Sequence, residues 1–181
     1  MYTLHEEFMP VDLQEKLLAD FDQLVTQPRY TPSHYEAADW FREVVSTVSG
    51  ICPDSVSMQA RRGNRYSDGH TFNCDLHTDI GVHRPDLAGK LKFILVVANN
   101  QRSGTIFVDD HPELWEKPTP ELFVRKNGAL AVRKNVAIDF SWEQAQCGQV
   151  CSFDMIRQLH GAAPQYEGDQ KILISTAVDT S

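Results

Sequence analysis

Three residues of this chain have types and spacing that could do chemistry together: His77, Asp79 and His160. His77-Thr78-Asp79 is an H-x-D frame. On a β-strand alternate side chains leave from the same face, so an imidazole and a carboxylate would point the same way. His160 comes 81 residues after Asp79, in the stretch 153–161 that follows an apolar strand and closes on a glycine. A histidine at such a strand end projects toward the mouth of a β-fold, a usual place for a ligand site. Two neutral imidazoles and one ionised carboxylate hold a divalent metal from one side and leave its other positions open, a set suited to oxygen chemistry at Fe(II). The separation spans several elements, so the fold rather than a local loop must assemble the set.

Lys171 follows His160 by eleven residues and opens the apolar run 172–178 after a turn at Glu167-Gly168-Asp169. A lysine there is costly to bury unless it meets an anion. A hairpin at that turn would bring it back beside the His160 strand. Residues 171, 173 and 175 share one face, so Ser175 can point into the same cavity. One cation and one hydroxyl suit the tail of a dicarboxylate.

The elements that must position these residues are legible from periodicity. Leu13, Leu17, Leu18, Phe21, Leu24 and Val25 make the apolar stripe of a first helix with Asp12 as its cap, ended by the prolines at 28 and 32. Ser33 and Glu36 form a capping box for a second helix. It buries Ala38, Phe41, Val44, Val45 and Val48 and stops at Gly50. From residue 55 the texture turns to short strands. Val56, Met58 and Ala60 alternate with polar residues, and 91–98 is almost wholly apolar, as in a strand covered on both faces. Further strands fall at 105–108, 129–140, 150–153 and 171–178. Two helices followed by strands, without βαβ alternation, predict a mainly antiparallel sandwich or barrel with helices packed on one face.

Composition bounds the rest. The chain has 181 residues, 41% hydrophobic and 23% charged, which fits one globular domain over 1–181, with helices at about 11–49 and a β core at about 55–178. The net charge of −8 repels polyphosphate, so no nucleic-acid partner is expected, and Arg61, Arg62 and Arg65 read as a solvated loop. The N-terminus lacks the apolar core of a secretory signal, and no apolar run is long enough to cross a bilayer. A soluble cytoplasmic protein with no membrane partner is the expectation. The four cysteines do not suggest a disulfide framework, and Cys147 and Cys151 read as free, part-buried thiols.

Taken together, His77-x-Asp79, His160 and Lys171 resemble the Fe(II)/2-oxoglutarate-dependent dioxygenase superfamily, with its double-stranded β-helix (jelly-roll, cupin-like) core. Ser103-Gly104-Thr105-Ile106-Phe107 is similar to that family's glycine-led strand between the iron ligands, and 148–171 is similar to its closing segment. The resemblance covers roughly residues 56–178. It implies that His77, Asp79 and His160 are both the metal ligands and the catalytic centre. It also implies that Fe(II), 2-oxoglutarate and O2 are required, and that succinate and CO2 leave as a substrate C–H bond is oxidised, most simply by hydroxylation. Many members place arginine and then serine two residues later; here Lys171 and Leu173 stand in those places, with Ser175 two further on. Lysine at this position resembles the prolyl 4-hydroxylase-like branch. Tyr66, upstream of the H-x-D frame, is either a further 2-oxoglutarate contact or an ordinary core aromatic.

Other readings of the same residues stay open. Asp75 shares a strand face with His77 and Asp79 and competes as the carboxylate. His70, His83 and His111 read as surface histidines, with His83 the one best placed to touch substrate. Lys171 could be an edge lysine that blocks aggregation. The same ligand set on a non-catalytic cupin-like metal- or ligand-binding jelly roll would bind Zn(II) or Ni(II) without turnover. A small molecule, an amino acid or a peptidyl residue would each fit as substrate. Arg61, Arg62, Arg102 and Arg157 are the arginines that could hold its carboxylate.

Overall fold

A computed structural model describes residues 1–27, 34–63, 76–79, 89–109, 120–121, 123–126, 129–132, 141–163 and 165–180. A strand, β1 (Tyr2–Phe8), opens the chain, followed by α1 (Val11–Ala19), α2 (Phe21–Leu24) and α3 (Glu36–Ser49). Apart from a 3-10 turn at Gln101–Ser103, the remaining described elements are strands: β2 (Ser57–Arg62), β3 (Lys90–Ala98), β4 (Thr105–Val108), β5 (Phe123–Lys126), β6 (Ala129–Val132), β7 (Trp142–Gln144), β8 (Gln149–Asp154), β9 (His160–Ala162) and β10 (Gln170–Asp179). A five-stranded antiparallel sheet has the order β1-β8-β3-β10-β2, and a three-stranded sheet has the order β7-β4-β9. A further two-stranded pair is made by β5 and β6, and from β7 to β10 each successive strand crosses to the other sheet, as in the double-stranded β-helix that the sequence resemblance implies.

The sheet faces are divided by side-chain parity. On β3, Phe93, Leu95 and Val97 join Val150 of β8 and Ile172, Ile174 and Val178 of β10 in one core with the helices. Leu13, Leu17 and Phe21 enter that core from α1 and α2, and Ala38, Phe41 and Val45 from α3. The alternate residues Ile94, Cys151 and Phe153 face the other way, where they meet Phe107 and Ala145 of the smaller sheet, with Leu173 packed against them. Helices therefore back one face of the large sheet and leave its other face to the space between sheets.

The helical stripes fall where periodicity places them, but their caps differ. The first helix begins at Pro10 with no side-chain cap, and Asp12 lies inside its first turn, where a carboxylate meets the positive end of the helix. It breaks at Asp20, so Phe21 and Leu24 sit on the separate turn α2. Tyr35 stands at the start of α3 without a capping side chain, and Ser33 lies outside the described residues. Gly50 ends α3 in the left-handed region at φ 73°, a conformation that glycine adopts without steric cost.

Two strand expectations need correction. The chain opens on β1 rather than on a helix; it is an edge strand whose partner is β8. The segment 170–179 does not form a hairpin with the His160 strand. β10 pairs with β2 and β3, whereas β9 pairs with β4 in the other sheet. The chain between β9 and β10 crosses from one sheet to the other. Asp169 secures this crossing: its side chain accepts from Tyr166 N at 2.8 Å and pairs with Arg102 at 2.8 Å, while its carbonyl accepts from Gly63 N at 2.7 Å.

Gly104 is required by close approach rather than by backbone conformation. A Cβ there would fall 1.9 Å from the carbonyl oxygen of Ala145, held in place because Ala145 N donates to Thr105 O at 2.9 Å. Gly104→Ala is expected to cost about 1–3 kcal/mol, the scale of overpacking, and to lower the denaturation midpoint accordingly. An unchanged midpoint would mean that β4 and the 145–147 segment can separate freely.

Candidate metal centre

Backbone pairing brings the two histidines together. His77 N donates to His160 O at 2.9 Å and His160 N donates to His77 O at 3.0 Å, so the two residues sit directly opposite each other as an antiparallel pair. Opposed residues present their side chains on one face, and the two rings lie 4.7 Å apart between centroids. His160 begins β9 opposite Phe107 of β4, with its ring 4.3 Å from that of Phe153 and 6.2 Å from that of Phe107. Its Nδ1 lies 3.2 Å from the carbonyl oxygen of Gln158. An Nδ1–H donated to that carbonyl leaves the Nε2 lone pair free for a metal, the usual way a protein fixes the tautomer of a ligating histidine. Gln158 is itself locked, its side-chain amide donating to Val108 O at 2.6 Å and Leu159 O at 2.8 Å.

Asp79 completes the group. Its Oδ1 lies 3.7 Å from His77 Nε2 and 3.6 Å from His160 Nε2. One donor atom from each of the three residues falls within 4.8 Å of the others. His160 is buried, Asp79 mostly so, and His77 is the most open of the three at 39% side-chain exposure, which leaves the group accessible from its side. Two imidazole nitrogens and one carboxylate oxygen at these separations fit a single divalent ion of the first transition row.

The other oxygen of Asp79 has a partner that sequence reasoning missed. Lys92 Nζ lies 2.7 Å from Asp79 Oδ2, and both side chains are about 15% exposed. Burial alone would push the Asp79 carboxyl up, but the neighbouring His160 and the ammonium of Lys92 outweigh it and hold the carboxyl well below the usual carboxylate range. The sign follows from linkage. An acid depressed in the folded state adds stability above its unfolded value near 4, and that stability is lost as the pH falls below it. The metal-free protein should therefore lose denaturant resistance from about pH 5 downward more steeply than its Asp79→Asn variant. Equal slopes in denaturation midpoints would show that the pair adds nothing to folding.

The signal for Lys92 was present in the sequence. It stands inside the apolar run of β3 at the same parity as Ile94 and Val96, and therefore on the face between the sheets. The argument that singles out Lys171 applies to it equally. Gln158 had no such signal, because it acts through a backbone carbonyl.

Lys171 is buried on β10, between Arg61 of β2 and Ala98 of β3. It shares the inter-sheet face of Leu173, and its charge acts on the thiol of Cys147, which burial pushes up and the ammonium pulls back. Lys92 pairs with Ala177, so Lys171 lies six residues, about 20 Å of strand, from the position opposite Lys92. Ser175 lies between them on the same face, with its hydroxyl 2.8 Å from that of Ser57. Tyr66, Asp75, His70, His83 and His111 lie outside the described residues.

Three of the arginines considered for substrate have partners of their own. Arg62 pairs with Asp22 at 2.7 Å over the ring of Phe21, and Arg102 pairs with Asp169 over Tyr166. Arg61 donates to Gln59 Oε1 at 2.9 Å in a solvent-exposed bond. Cys147 and Cys151 are free and buried, and burial pushes the Cys151 thiol up to about 12. No described helix is long and apolar enough to cross a membrane.

No protein-family model matches the sequence, and no curated protein matches it. Solved structures do match in fold. HygX from Streptomyces hygroscopicus, in a crystal structure with nickel and 2-oxoglutarate bound, superposes with a TM-score of 0.57 at 9% identity, covering 99% of this chain and 82% of that one. The non-heme alpha-ketoglutarate-dependent epimerase SnoN from nogalamycin biosynthesis gives 0.55 at 13% identity, over 98% of this chain and 78% of that one. The non-heme monooxygenase ThoJ gives 0.54 at 11% identity, over 99% and 74%. At such identities the likeness is one of fold.

Proposed function

We propose that this chain is an Fe(II)- and 2-oxoglutarate-dependent dioxygenase that oxidises an unactivated C–H bond of a small-molecule, amino-acid or peptidyl substrate, with hydroxylation as the outcome. The observation that carries the proposal is the convergence of His77 Nε2, His160 Nε2 and Asp79 Oδ1 within 4.8 Å on a double-stranded β-helix. Support comes from the shared fold of HygX, whose structure holds nickel with 2-oxoglutarate, and of SnoN and ThoJ.

In this reading His77, Asp79 and His160 hold Fe(II), which supplies the coupled decarboxylation of 2-oxoglutarate and reduction of O2. The residues of the chain do the rest. The His77–His160 backbone pair fixes the angle between the imidazoles, and Gln158 O holds the His160 tautomer. Phe107 and Phe153 press on His160 and keep water from its ring faces. Lys171, a buried cation on the inter-sheet face, is assigned to the far carboxylate of 2-oxoglutarate, with Ser175 and Tyr66 as further contacts.

The test is anaerobic addition of Fe(II) and 2-oxoglutarate to the purified chain. The expected result is a weak visible charge-transfer band and, on admitting O2, succinate. Neither band nor succinate across a panel of small-molecule, amino-acid and peptide substrates would instead favour a jelly roll that binds a metal without turnover.

A further inference from the structure

We propose that Lys92 is a positioning residue that confines Asp79 to one-oxygen coordination and so keeps a metal position open for co-substrate; this rests on the function proposed above. A carboxylate can bind a metal through one oxygen or both. Here the two oxygens have different neighbours: Oδ1 faces both imidazole Nε2 atoms, and Oδ2 lies 2.7 Å from the Lys92 ammonium. Both side chains are largely withheld from water, so solvent competes weakly for that bond. The lysine is also poorly free to move. Its backbone pairs with Phe153 on one side and Ala177 on the other, and its ammonium lies 6.0 Å from the Phe153 ring centroid.

Two consequences follow, with opposite signs. An octahedral ion held by three protein atoms keeps three positions, enough for a two-oxygen chelate and one further ligand, whereas a two-oxygen Asp79 would leave only two. Lys92 thus favours 2-oxoglutarate. It also places a positive charge beside a cation site, and that opposes binding of the bare ion. Removal of the ammonium should therefore tighten the bare metal and weaken the co-substrate. Structural damage to the site would weaken both, so the pattern distinguishes positioning from packing.

The experiment uses Co(II), whose visible bands report coordination number without iron's sensitivity to air. Co(II) and then 2-oxoglutarate are titrated into the native chain and into Lys92→Met, Lys92→Gln and Lys92→Arg. For the Met and Gln variants the expected result is Co(II) tighter by on the order of tenfold, 2-oxoglutarate weaker by a similar factor, and altered Co(II) bands. Lys92→Arg keeps the charge and a donor for Oδ2 and should return toward native values. The glutamine variant keeps a polar group at this site should the methionine variant fail to fold. Native affinities and bands in the neutral variants would overturn the inference, as would parallel weakening of metal and co-substrate. A native chain that binds no Co(II) overturns the underlying function instead.

Discussion

His77→Ala and Asp79→Ala are each expected to abolish iron-dependent 2-oxoglutarate turnover while the fold survives. Loss of an outer partner of a metal ligand typically costs about 10–100-fold in affinity or activity, and loss of a ligand itself should exceed that. Survival of the fold follows from where the two side chains lie. The His77–His160 pairing is made by backbone atoms, which alanine retains, and His77 is the least buried member of the group. Asp79→Ala leaves the Lys92 ammonium without its carboxylate, so this variant should be the less stable of the two. Circular dichroism and succinate formation measured on the same samples decide the matter. A folded variant that still yields succinate would remove the residue from the metal site.

The second large effect is expected at Lys171. A charge-assisted bond to a carboxylate is worth about 1.5–3 kcal/mol, so Lys171→Ala should raise the 2-oxoglutarate requirement by roughly 10–150-fold. Binding of Mn(II) or Co(II) alone should be unchanged, because Lys171 is not among the three residues whose donor atoms converge. This contrast separates the two buried lysines. Loss of Lys92 alters bare-metal affinity, whereas loss of Lys171 alters only the anion. If the Lys171 variant changed substrate affinity and left 2-oxoglutarate untouched, the lysine would belong to the substrate subsite.

Most of the β-architecture was legible because parity and burial are local properties. Phe93 and Leu95 face the helices while Ile94 and Val96 face the other sheet, all of them buried, as a strand covered on both faces should be, whereas Met58 on β2 alternates with more open neighbours. The helical stripes of α1 and α3 were legible for the same reason. The cap of α1 was misplaced because a helix can begin without a side-chain cap once its apolar face is buried, so the local signal at Asp12 did not decide its start. β1 left little trace, since an edge strand of mixed polarity is held by its partner β8 rather than by its own pattern.

The site divides along the same line. Two of the three candidate ligands were legible because H-x-D is a local frame. Their convergence with His160 depends on a backbone pairing between segments more than 80 residues apart, which no local signal specifies. Lys92 is harder to read because it stands near the start of an almost wholly apolar run, and only strand parity marks it as facing inward. The crossing from β9 to β10 reads as a hairpin in the sequence because its glycine-containing turn looks the same in either topology; the sheet order alone separates the two.

The most direct test of the central claim is a crystal grown with Mn(II) and 2-oxoglutarate, examined for the anomalous signal of manganese. One peak is predicted, within coordination distance of His77 Nε2, His160 Nε2 and a single oxygen of Asp79. A well-ordered crystal with no peak there, or with manganese held by other residues while these three side chains point away from it, would contradict the account.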